Sequence, residues 1–168
     1  MNKKVRQYLG LVAALIAYYL VHEGAHLLYA LCTGTFRQIN LLGLGIQVDV
    51  YRETMPDTQL GLFCLAGPVA TVIAGWLLAG FAGRMVQAKS KVFRACMYYI
   101  TIAMLFVDPV YLCVVYRLVG GGDMNGISLL LPEWLVQIVS GLLLLMHGTF
   151  FSKWIIPQYR ESFEREVR

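Results

Sequence analysis

Residues 8–32 read YLGLVAALIAYYLVHEGAHLLYALC, and this stretch decides what kind of protein the chain is. Between Arg6 and Arg37 the only charged residue is Glu23. A run of about 20 apolar residues in a helix is enough to cross the hydrocarbon core of a bilayer. The run is interrupted in its second half by His22-Glu23-Gly24-Ala25-His26, an H-E-x-x-H word. Residues four apart share a helix face, so both imidazoles point the same way, one turn apart, as two ligands of one metal ion do. Glu23 stands beside them, placed to take a proton from a water activated by such an ion. Ionisable groups at membrane depth are costly, so a His-Glu-His cluster there marks a functional site. Lys3, Lys4 and Arg6 ahead of an apolar run also look like a secretory leader. The run is longer than a leader's, holds Glu23 and lacks a small-x-small cleavage site, so we read it as a retained span.

The same scarcity of charge recurs along the chain. It has 168 residues, 58% of them hydrophobic, with a mean hydropathy of +0.63. That composition suits a polytopic membrane protein and not a soluble domain. No charge falls between Asp57 and Arg84, only Asp108 between Arg94 and Arg117, and only Glu133 between Asp123 and Lys153. The expected fold is therefore an all-α membrane protein in one domain, with four spans near 8–32, 59–83, 95–116 and 132–155. Pro132-Glu133 makes a suitable first turn for the last.

Basic residues set the expected orientation. Lys3, Lys4, Arg6, Arg84, Lys89, Lys91, Arg94, Lys153, Arg160, Arg165 and Arg168 fall on one side, and only Arg37, Arg52 and Arg117 on the other. Eleven against three places both termini in the cytoplasm. The same rule accounts for the net charge of +4 and leaves no case for nucleic-acid binding. Cys32, Cys64, Cys96 and Cys113 form no C-x-x-C pair and read as small buried side chains.

Between the first two spans, Ile46, Val48 and Val50 alternate with Gln47, Asp49 and Tyr51, a strand signature. Gly43-Leu44-Gly45 supplies a turn before it, so a short external β-hairpin is expected near 36–51. The second span opens with Gly67-Pro68-Val69-Ala70-Thr71, where small residues would let the backbone approach the first span. After the third span, Gly120-Gly121-Gly122 must break the helix. A short piece over 120–131, with Asp123 as its N-cap, would then lie at the interface or dip back into the membrane.

A catalytic zinc takes three protein ligands and leaves one position open. H-E-x-x-H supplies two. Asp108, Asp123, Glu133 and His147 are the candidates for the third. Depth favours Asp108 slightly: His22 sits about 21 Å into its span, and Asp108 lies at a similar depth in its own. Asp123 reaches that level only if the glycine break turns the chain back. Asp108 also suits a hydrogen bond to the free ring N–H of a ligand histidine. His147 reads as a bond between helices and Glu133 as a first-turn residue.

His22-Glu23-Gly24-Ala25-His26 in a first core helix, the alternating strand segment, Gly67-Pro68-Val69-Ala70-Thr71 and the late Gly122-Asp123 turn together resemble the site-2 protease family of intramembrane zinc metalloproteases. The resemblance is to its small members and covers roughly residues 8 to 140. Thr71 stands where that family often has Asn, and the usual proline-rich lead-in to the late motif is reduced to Asp108-Pro109. The resemblance implies one zinc ion per chain held by His22, His26 and Asp123, with Glu23 as general base. It implies hydrolysis of peptide bonds in or near transmembrane segments of other proteins, at a site in the outer half of the membrane. It further implies a multi-pass protein of a bacterial-type plasma membrane, regulated by a membrane partner. Asn40 and Asn125 are the polar groups expected nearest an oxyanion. The competing expectation is a non-catalytic, metal- or partner-binding membrane subunit. A transporter subunit fits less well, because the chain shows no inverted repeat.

Overall fold

The computed structural model describes residues 2–42 and 45–164. Helix α1 spans Lys3–Thr33 and ends on Gly34, whose φ of 67° is the left-handed stop that suits glycine. Strands β1 (Phe36–Leu42) and β2 (Gly45–Val50) follow, then α2 (Asp57–Gly80), a short α3 (Ala82–Met85), α4 (Lys91–Val119), α5 (Gly122–Ile127) and α6 (Glu133–Glu164). Helices α1, α2, α4 and α6 are long and apolar enough to cross a membrane. These four correspond to the expected spans, with ends shifted by up to five residues except that α6 runs on nine residues past 155, to Glu164.

The bundle is apolar on its outer surface and holds a set of polar side chains inside its apolar core. His22, His26, Thr71, Thr101, Asp108, Ser140 and His147 are buried, while Leu20, Leu28, Leu142 and Leu145 are 60–70% exposed. A soluble bundle of amphipathic helices reverses that arrangement. Helix α1 packs along both α2 and α4. Gly10 meets the Tyr99 ring and the Ala95 carbonyl, and Tyr18 meets Asp108, so α1 and α4 run in the same direction.

The hairpin is antiparallel, with Ile39 opposite Val48 and Leu41 opposite Ile46, and its register shifts between Phe36 and Gln38. Val48 and Val50 bury their side chains with Ala30 and Phe63, which pins β2 to α1 and α2. The expected turn at Gly43-Leu44-Gly45 lies partly outside the described residues.

Helix α4 carries Pro109 inside it and continues through a π turn, Tyr111–Val115. Proline has no N–H, so the carbonyl of Leu105, four residues earlier, loses its helical donor. His147 of α6 replaces it: Nδ1 donates to that carbonyl at 2.6 Å, and Nε2 accepts from Trp76 Nε1 at 3.1 Å. Both ring nitrogens are used, which settles His147 as a bond between helices.

The chain after α4 turns back as the glycines require. Gly120 and Gly121 have φ of 87° and 30°. The helix that follows differs from expectation in one respect. Gly121, not Asp123, holds the N-cap position, and Asp123 falls inside the first turn. Its carboxylate is therefore not spent on capping. Helix α5 then docks on α2 without room for a side chain between them: a Cβ on Gly126 would lie 2.2 Å from Cys64 Sγ.

Candidate metal centre

Four elements build the site: α1 supplies His22, Glu23 and His26, α2 supplies a wall, α4 supplies a buried acid, and α5 supplies Asp123. His22 and His26 face α2 together, as their spacing requires. Their exposures are 7% and 3%. His26 Nδ1 lies 2.8 Å from the Phe63 carbonyl, which can only accept, so Nδ1 holds the proton. His22 Nδ1 lies 3.2 Å from the Asp108 carboxylate, which fixes its proton on the same side.

Each neutral ring then presents a bare Nε2 to the same point. The two Nε2 atoms are 3.2 Å apart. Asp123 completes the triangle, with Oδ2 at 3.2 Å from His22 Nε2 and Oδ1 at 3.6 Å from His26 Nε2. Three acceptors at these separations repel one another unless a cation lies among them. Nitrogen and oxygen ligands of a tetrahedral zinc, bonded at about 2.0–2.1 Å, stand about 3.3 Å from each other. The three residues can hold a metal ion. With protons in place of a metal, burial pushes the Asp123 carboxyl up, hydrogen bonding from His22 and His26 outweighs it, and the group settles down at about 2.

Space for an ion comes from Gly67 on α2. A Cβ at this position would fall 2.5 Å from His26 Nε2 and 2.9 Å from His22 Nε2. The glycine thus brings the α2 backbone against both imidazoles while leaving the point between them free. Any larger residue would fill it.

Asp108 lies behind His22, on the side away from this point. It is 1% exposed and accepts three hydrogen bonds: from Tyr18 Oη at 2.6 Å, from His22 Nδ1 and from the Thr71 hydroxyl. Tyr18 also stacks on the His22 ring, with centroids 5.3 Å apart. Depth in the bundle had favoured Asp108 as a ligand, and the two residues are indeed level. They meet through Nδ1, so Asp108 orients the imidazole while Asp123 shares the space at Nε2.

Glu23 turns toward the hairpin. Its Oε2 accepts the Val48 amide at 3.0 Å. That amide points away from β1, so it belongs to the free edge of β2. An apolar groove of about 450 Å³ opens beside Glu23, between α1 and the hairpin, walled by Leu15, Ile16, Leu20, Ile39, Leu41 and Ile46.

The structure brings His22, His26 and Asp123 together, while the carboxylate of Glu23, on the same helix as the two histidines, faces the hairpin. Of the two asparagines, Asn40 accepts from Gln38 in the hairpin and Asn125 is exposed on α5. Tyr18 and Phe63 enter as contributors the sequence reading missed. Tyr18 left a signal, four residues before His22 and so on the same face, and Gly67 and Val48 take up the close approach and the strand expected of them. Comparison with protein-family models, curated proteins and solved structures found no match to this chain.

Proposed function

We propose that this chain is an intramembrane zinc metalloendopeptidase of the site-2 protease kind, cleaving peptide bonds in or near transmembrane segments of other proteins. The observation that carries the reading is the meeting of His22 Nε2, His26 Nε2 and the Asp123 carboxylate at one point without a donor among them. A zinc ion there supplies a water acidified to a pKa of about 7 and a Lewis acid for the scissile carbonyl. Glu23, the next residue to a ligand, takes the proton of the attacking water and returns it to the leaving amine. Asp108, Tyr18 and Thr71 hold His22 in the tautomer that leaves Nε2 bare. Four apolar helices and the apolar groove at Glu23 suit a substrate that arrives from the lipid.

A helical substrate hides its carbonyls and must unwind before attack. The free edge of β2 offers backbone hydrogen bonds to an unwound segment without demanding a sequence. The Val48 amide is already committed to Glu23, so the substrate contact falls to Ile46, two residues away on the same edge. Ile46→Pro should therefore weaken cleavage while leaving bound metal unchanged. Normal cleavage by that variant would remove strand pairing from the mechanism.

The deciding experiment is cleavage of a membrane-spanning peptide by the purified protein, wild type beside Glu23→Gln. The proposal requires that the variant keep its metal and lose cleavage. A metal-loaded wild type that cuts none of a panel of such peptides would favour the non-catalytic subunit, in which Glu23 serves only to hold the Val48 amide.

A further inference from the structure

The opposite end of the bundle holds a second cleft, independent of the metal centre. It has a volume of about 300 Å³ and lies where the start of α1, the start of α4 and the end of α6 meet. Lys3, Arg6 and Arg160 line it, together with Tyr98, Ile156 and Phe163. Arg6 lies over the Phe163 ring at 4.7 Å from its centroid, and Arg94 lies over the same ring at 5.2 Å. One carboxylate, Glu164, reaches the rim, and Arg160 already bonds it at 2.9 Å. Among the described residues, neither Lys3 nor Arg6 forms an ion pair.

The helix ends sharpen this imbalance. Helices α1 and α4 run in the same direction, so their positive dipole ends lie together. Neither has an acidic residue in its first turn. Lys3 stands in the first turn of α1 instead, the sign that a helix N-terminus disfavours. An anion in the cleft would offset both the side-chain charge and the two dipoles.

Helix α1 has 31 residues against the about 20 that cross the hydrocarbon core, and Lys3, Lys4 and Arg6 mark its first turns as the end that suits headgroup level. Tyr98 and Tyr99, both half-buried, line the cleft, where ring and hydroxyl suit the boundary between lipid and water. Cationic head and apolar wall together match a phosphodiester with the first carbons of its acyl chains. We propose that this cleft binds the headgroup of an anionic phospholipid.

The test offers the purified full chain, in zwitterionic detergent, equal amounts of short-chain phosphatidylglycerol and phosphatidylcholine. Bound lipid is counted by native mass spectrometry. The proposal expects phosphatidylglycerol to be retained in preference. Lys3→Gln and Arg6→Gln should each lower its retention about five-fold, the effect of removing one cation near an anionic surface. Arg84→Gln, at the same end of the bundle but outside the cleft, should leave retention unchanged. Equal retention of the two lipids would overturn the proposal. So would an equal loss in Arg84→Gln, which would mean bulk charge, or displacement by inorganic phosphate at matched concentration, which would mean a phosphate-ion site.

Discussion

Two histidine clusters lie buried in this apolar bundle, and hydrogen bonding separates them. At His147, Trp76 donates to one ring nitrogen and the Leu105 carbonyl accepts from the other. Every polar atom has a partner of the opposite kind, and nothing further is needed. At His22 and His26 the Nδ1 atoms are satisfied in the same way, by Asp108 and Phe63. Their Nε2 atoms instead meet each other and a carboxylate. The His147 contacts repair a helix broken by Pro109, and the His22–His26–Asp123 group could hold a metal ion. A buried polar residue between apolar helices is thus not a site by virtue of its depth. What distinguishes a site is a set of lone pairs left facing one another.

Substitutions can break that contrast or sharpen it. The largest expected effect is on cleavage: Glu23→Gln should lower it by about 10²–10⁴-fold, the usual worth of a general base, with metal content unchanged. A variant that still cuts at the wild-type rate would remove Glu23 from the chemistry. Next comes His26→Ala, which removes a ligand. Its metal affinity should fall by more than the roughly 10–100-fold expected for losing an outer partner. Equilibrium dialysis against zinc measures this, and an unchanged affinity would dissolve the contrast with His147. Asp108→Asn keeps the shape of the side chain but removes its charge behind His22. It should weaken metal binding by about 10–100-fold without abolishing it.

The smallest effect belongs to His147→Ala. It leaves the Leu105 carbonyl without its donor, so thermal unfolding should report a loss of about 1–3 kcal/mol while zinc stays bound at wild-type affinity. Loss of zinc in that variant would show that the two clusters are coupled through α4.

Much of this was legible in the chain. Long intervals with at most one charged residue each gave the four helices, because a bilayer-length run tolerates little else. The spacing of His22 and His26 gave two ligands on one face. The three glycines at 120–122 announced the break that returns Asp123 to the site. The choice between Asp108 and Asp123 was not legible from depth. Asp108 is level with His22, as its place in the span suggested, but an imidazole has two nitrogens, and depth does not say which one a neighbour meets. That His147 bonds between helices was visible, but its partner was not. That bond depends on a carbonyl freed by Pro109 on a different helix, and only packing brings the two together. Gly67 gave a clue to close approach, but that the approach is to both Nε2 atoms is a fact of the assembled bundle.

The most direct test is the metal content of the purified full chain, measured for wild type, Asp123→Ala and Asp108→Ala at the same free zinc concentration. The account predicts about one zinc per chain in wild type. Asp123→Ala should hold almost none, and Asp108→Ala should reach the wild-type level once zinc is raised. A wild type that holds no metal, or an Asp123→Ala that holds as much as wild type, would contradict it.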